Sequence, residues 1–171
     1  MNRQDHLMMW DQMRLRHGIT LRLVEQIPAD KLREHPIPGM RTPIELVVHT
    51  YAGVKVFPES VLSGSVPDYD DKAEAAAIAD KAALLAYVNA AWAAGDRAAR
   101  SVTDVQLGAM VTTPWGHAFP GFAMFGIVQD EFLHHRGQLY AYLRVFGITP
   151  VMNWDYDHSA PEFQPAKHAQ A

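Results

Sequence analysis

There is no cysteine anywhere in the 171 residues. Disulfides, thiolate metal ligands and a cysteine nucleophile are therefore excluded. Long apolar runs are also missing. No stretch approaches the roughly 20 apolar residues needed to span a bilayer. The opening MNRQDHLMMWDQ lacks the apolar run of a signal peptide, so a cytoplasmic protein with no membrane partner is expected. Clusters of basic residues are absent as well. The 15 Lys and Arg are scattered, and 19 Asp and Glu leave a formal net charge of −4. That balance argues against broad binding to phosphate backbones, and no nucleic-acid partner is expected.

What the chain does have is apolar content, with 49% of its residues hydrophobic. A disordered chain is excluded on that ground, and the length suffices for one compact domain with a sizeable core. Residues 1–150 read as a four-helix bundle. Residues 151–171, with Pro161 and Pro165, read as a tail packed on the surface or frayed, its first part anchored by Trp154 and Tyr156.

Four helical segments stand out. The first covers about 5–27, with Met9, Met13, Leu21 and Val24 on one face and Pro28 ending it. The second covers about 43–57. Thr42-Pro43-Ile44-Glu45 reads as N-cap, proline at the first helical position and a capping box, and Pro58 is expected to stop it. The third is alanine-rich and covers at most 71–100, with Leu84, Leu85, Val88 and Trp92 as anchors. The fourth covers about 120–146, ending at Gly147. Residues 58–70 form a long Ser/Pro/Gly/Asp connection able to cross one end of the bundle. Residues 104–119, with β-formers and Pro-Trp-Gly, suggest an extended lid.

The run DEFLHHRGQLYAYLRVFGI, residues 130–148, carries the chemistry. Glu131 and His135 are four apart and share a helix face with Gln138 and Tyr142. Burying a carboxylate beside an imidazole is costly unless charge or hydrogen bonds compensate, and a divalent metal does so. His134 lies about 100° from His135 and falls to a flank; pairing of His134 with Glu131 at three residues is the alternative. Gly137 inside this helix suggests close packing against the backbone. The best third ligand is His49, in the apolar second helix, with Gly53 one turn later leaving room for a partner helix or ligand. A lone histidine on an apolar helix is usually a satisfied core residue, and that remains the competing reading. His6, His35, His117, His158 and His168 have no comparable partner, and His17 is expected at the surface, with a place lining the pocket from the first helix as the other reading.

The segments HHRGQLYAYLRVFGITP, QDEF and TPIELVVHTYAG resemble the DinB-like (DinB/YfiT) family of metal-binding four-helix proteins, across roughly residues 5–150. The resemblance implies an all-α four-helix bundle with a long crossover between helices 2 and 3. It also implies a metal triad of one histidine on the second helix and two, four apart, on the fourth. These positions are His49, 131 and His135, with Glu131 replacing a histidine here. Two imidazoles and a carboxylate form a facial set with open positions, suited to zinc, nickel or iron.

The family includes enzymes that use low-molecular-weight thiols. That implies a small-molecule substrate and a metal-dependent transfer of a thiol to an electrophile, with hydrolysis as a second option. Gln138 and Tyr142 are candidates to orient substrate, with a core hydrogen-bonding role as the other reading. The competing function is a non-enzymatic stress-response or binding module whose metal is structural or absent. Apolar residues on several sides, such as Trp10, Phe122, Phe125 and Tyr140, point to a homodimer.

Overall fold

The computed structural model describes residues 1–154. The expectations for Tyr156, His158 and His168 lie outside the described residues. Four long helices build the body: α1 (Arg3–Gln26), α2 (Pro43–Ser63), α4 (Lys81–Ser101) and α6 (Gly121–Val145). Two short helices, α3 (Asp71–Ala77) and α5 (Asp104–Gly108), lie in the connections. A small antiparallel hairpin, β1 (Met110–Thr112) with β2 (Ala118–Pro120), precedes α6. Both α1 and α2 pack chiefly on α4 and α6, which sets α1 and α2 at opposite corners. The core between them includes Trp10, Leu23, Tyr51, Leu84, Phe132 and Leu139, all nearly inaccessible.

Helix α2 starts where its sequence says. Thr42 accepts the Glu45 amide, and the Glu45 carboxylate accepts the Thr42 amide at 2.8 Å. The helix does not stop at Pro58, however; it runs on to Ser63. Proline removes one N–H and so leaves the carbonyl of Val54 without its helical donor. Burial of Phe57, Pro58 and Val61 holds the next turn in place. The helix ends at Gly64, whose left-handed φ of 84° lets its N–H reach the Ser60 carbonyl. Gly95 of α4 lies directly against the orphaned Val54 carbonyl, where a Cβ would overlap the oxygen. The α2–α4 contact therefore depends on the pairing of Pro58 with Gly95.

The alanine-rich third segment is broken in two. Asp80 caps α4 by accepting the Ala83 amide at 2.8 Å, and Asp70 caps α3 through the Lys72 and Ala73 amides. Asp side chains that bond nearby amides compete with helix continuation. The long link from α2 to α4 thus carries a separate short helix. Tyr87 of α4 ties that helix down by donating to Glu74.

Residues 104–119 form α5 and most of the hairpin. Thr103 and Gln106 make a second capping box. The hairpin is joined to the end of α2, because Val66 donates to Thr112 and Thr112 to Gly64. Its turn carries Pro114, Trp115 and Gly116, the last at φ 79°. Beyond α6 the chain is fixed by Gln26 of α1, which bonds the Thr149 carbonyl and the Val151 amide. Trp154, expected as an anchor, is 60% exposed.

Other expectations shift with the packing. Met9 is exposed, so the buried face of α1 is set by Trp10, Met13, Leu23 and Val24. His17 is buried, not superficial, and bonds the Tyr51 hydroxyl at 2.8 Å. Nothing lies within 4 Å of a Cβ placed at Gly137, so close approach there is not its role. Trp10 and Phe125 belong to the core, which weakens the case for surplus apolar surface. Phe122 is exposed as expected, and Leu62, Val105, Met110 and Trp115 are among the other exposed apolar residues. No helix among the described residues is long and apolar enough to cross a membrane.

Candidate metal centre

Two helices bring three ligand-type side chains together. His49 comes from the middle of α2, and Glu131 and His135 from one face of α6. Their potential ligand atoms all lie within 4.8 Å of one another. The four-residue spacing on α6 puts His135 Nε2 at 3.0 Å from Glu131 Oε2. The rings of His49 and His135 approach edge to face, with centroids 4.8 Å apart. His134 is exposed and outside this group.

The other nitrogen of each imidazole is already engaged. His49 Nδ1 donates to the Asp71 carboxylate at 2.5 Å. His135 Nδ1 donates to Gln138 Oε1 at 3.2 Å, and the Gln138 amide donates in turn to His134. With both Nδ1 protons committed, each Nε2 presents a lone pair. His135 Nε2 then faces a carboxylate oxygen at 3.0 Å, two acceptors that a cation or a proton must hold together. The donor set therefore fits a divalent ion. An acceptor behind each histidine is the usual support for metal-binding imidazoles.

Bonds of about 2.0–2.2 Å to one ion would draw the three atoms closer than their present spread. Glu131, whose side chain is 53% exposed, has the freedom to move in. Burial holds the His135 pKa below its ordinary value, opposed by the Gln138 bond and by Glu131, and reinforced by His49. The neutral form that can ligate is thus favoured.

The group forms part of the wall of a cavity of about 280 Å³. The remaining wall is mostly apolar: Val54, Phe57, Ile127, Val128, and Trp115 from the hairpin turn. Trp115 meets the Phe57 ring edge to face at 6.1 Å. Gly53 also lines the cavity, and a Cβ there would touch only the Phe57 ring, so its smallness serves the cavity and not a helix crossing.

The two suggested substrate-orienting residues do other work here. Gln138 bonds His135 and His134. Tyr142 is 1% exposed, outside the cavity wall, and donates to the Arg41 carbonyl at 2.8 Å, pinning the segment before α2. Asp71, Tyr69 and Trp115 were not anticipated at the site. Asp71 sits in the acidic run Asp68–Asp71, where it reads as part of a helix start, and only the folded connection carries it back to His49.

The chain is thus a helical bundle with a His-Glu-His group, of a kind able to hold a metal ion, at the wall of a mostly apolar cavity. The model of the DinB superfamily matches residues 12–139, and the chain belongs to that superfamily. Among solved structures, a DinB-like protein from Bacillus subtilis is 19% identical with a TM-score of 0.64. That match covers 88% of this chain and 93% of that one. A protein from Exiguobacterium sibiricum provisionally assigned to the DinB family is 22% identical, with a TM-score of 0.52 over 81% and 92% of the two chains. A mutant of the mycothiol-dependent maleylpyruvate isomerase is 15% identical, with a TM-score of 0.64 over 81% of this chain and 61% of that one. At these identities the likeness shows the fold. A sequence search of curated proteins finds no match.

Proposed function

We propose that the chain is a metal-dependent enzyme that transfers a low-molecular-weight thiol to a small electrophile, with His49, Glu131 and His135 as the ligands of a divalent ion. The observation that carries this is the convergence of two imidazoles and one carboxylate beside a cavity large enough for a small molecule. Three protein ligands leave positions open, the arrangement of catalytic rather than structural sites. The likeness to a mycothiol-dependent enzyme supports a thiol co-substrate.

A divalent ion held there would lower the pKa of a thiol or water beside it. Asp71 and Gln138 hold the two rings in the ligating tautomer. In the transfer, the thiol sulfur forms a bond to the electrophilic carbon, the leaving group departs with its bonding pair, and the thiol proton is released to solvent. Zinc, nickel and iron all suit this donor set. The proposal includes a cytoplasmic location and a homodimer with each site inside its own protomer.

The test starts with elemental analysis of protein purified without a nickel column, followed by zinc titration and thiol-transfer assays. One ion per chain is expected. Binding should be lost in His49→Ala and His135→Ala and kept in His134→Ala. Loss in the His134 variant alone would overturn the ligand assignment, and absence of any divalent ion would overturn the enzyme.

A further inference from the structure

A second hollow of about 360 Å³ opens on the other side of His49. It shares three walls with the apolar cavity, namely His49, Tyr69 and Trp115. Its other walls differ in character, because Arg41, Asp68 and Asp71 line it. Asp71 is committed to His49. The Arg41 guanidinium and the Asp68 carboxylate make no hydrogen bond or ion pair among the described residues, and both side chains belong to exposed residues. The Arg41 backbone is nevertheless fixed, since its carbonyl accepts the Tyr142 hydroxyl. The outer hollow therefore offers one cation and one anion without hydrogen-bonded partners, Arg41 acting on Glu45 only through the attraction of their charges, and the inner one offers a mostly apolar surface. His49 stands where they meet.

We infer that the two hollows form one bipartite substrate site. The inner cavity takes the apolar body of the electrophile. The outer hollow takes the zwitterionic aminocarboxylate end of a cysteine-type thiol, its carboxylate on Arg41 and its ammonium on Asp68. The sulfur then falls at the shared wall, beside His49. Charge complementarity of both signs selects an amino-acid head over a simple acid or amine. Trp115, on the hairpin turn and in contact with Phe57, sets the size of the apolar group. The inference rests on the thiol reading above, but its test does not need the metal.

The probe is S-benzyl-L-cysteine, which carries an apolar ring, a sulfur and a zwitterionic head. Its two halves, benzyl methyl sulfide and S-methyl-L-cysteine, are the controls. Calorimetric titration uses the full chain, both metal-free and zinc-loaded. The whole probe should bind at least about tenfold more tightly than either half, because linking two parts makes the second contact intramolecular. Arg41→Gln and Asp68→Asn should each weaken the probe about three- to tenfold, the range of charge-assisted bonds at a partly open site. They should leave benzyl methyl sulfide unchanged. Trp115→Ala should weaken the two benzyl compounds and leave S-methyl-L-cysteine unchanged.

Equal affinity of the probe for the parent and both charge variants would overturn the inference. So would failure of the probe to bind a protein that takes up one zinc per chain, a result that leaves the enzyme reading standing. Probe binding with the predicted variant pattern in a protein that binds no metal would support the bipartite site and overturn the enzyme reading instead.

Discussion

Replacing Asp71 with alanine tests how the candidate centre is supported. The carboxylate accepts His49 Nδ1–H at 2.5 Å across the connection between α2 and α4. It fixes the tautomer that leaves Nε2 free, and it fixes the ring plane. Both side chains are about a quarter exposed or less, so water substitutes only in part for the lost acceptor. Loss of such an outer partner weakens metal affinity about 10–100-fold, which is about 1.4–2.7 kcal/mol. Asp71→Asn keeps an acceptor oxygen without the charge and belongs at the low end of that range.

The fold should change little. Asp71 lies in the first turn of α3, where a carboxylate contributes about 0.3–1 kcal/mol through the helix dipole. Competition for zinc against a chromophoric chelator at neutral pH gives the affinity, and a thermal melt of the metal-free protein gives the stability. Unchanged zinc affinity in Asp71→Ala, with helicity retained, would refute the supporting role. A fall in melting temperature large enough to unfold the protein would instead assign Asp71 to the fold.

Two further outcomes follow from the packing, and a third tests the proposed assembly. Gly95→Ala should destabilise by about 1–3 kcal/mol or more, because its Cβ falls on the Val54 carbonyl, and a chemical denaturation curve measures this. His17 should make stability acid-sensitive. Burial lowers its pKa from 6.5 to about 4, opposed by Asp96, so the unfolded chain takes up its proton first. Its stabilising effect, on the order of 3 kcal/mol, is complete above pH about 6.5 and is lost as pH falls toward about 4. In His17→Gln the slope of unfolding free energy across that window should flatten; an unaltered slope would refute the assignment. Finally, light scattering should give twice 19.1 kDa for the proposed homodimer, and a monomer mass would rule it out.

Local patterns made much of this molecule legible. Apolar periodicity located the long helices, because an amphipathic face is a property of neighbouring residues. The Thr42–Glu45 box placed the start of α2 for the same reason, and the four-residue interval brought Glu131 beside His135. What stayed hidden depends on residues far apart in the chain. Pro58 reads as a stop signal, yet burial of Phe57 and Val61 carries the helix through it, and its cost is absorbed at Gly95, 37 positions later. His17 reads as a polar surface residue until Tyr51, from the opposite corner of the bundle, supplies its partner.

Asp71 illustrates the same limit at the site. Nothing in the run Asp68–Asp71 distinguishes the carboxylate that supports His49 from the one that caps α3 at Asp70 or the one that faces the outer hollow at Asp68. Only the turn that starts α3 separates them, by aiming adjacent acids in different directions. The hairpin acts similarly on Trp115: the Pro-Trp-Gly turn is legible as a turn, but its position over Phe57 is set by Gly64, Val66 and Thr112, which pin the strand to the end of α2. The helices thus specify where the candidate ligands meet, while the connections specify what surrounds them. Under the proposed function, substrate selectivity should accordingly change with residues 64–72 and 110–118, at positions where the helical core need not be disturbed.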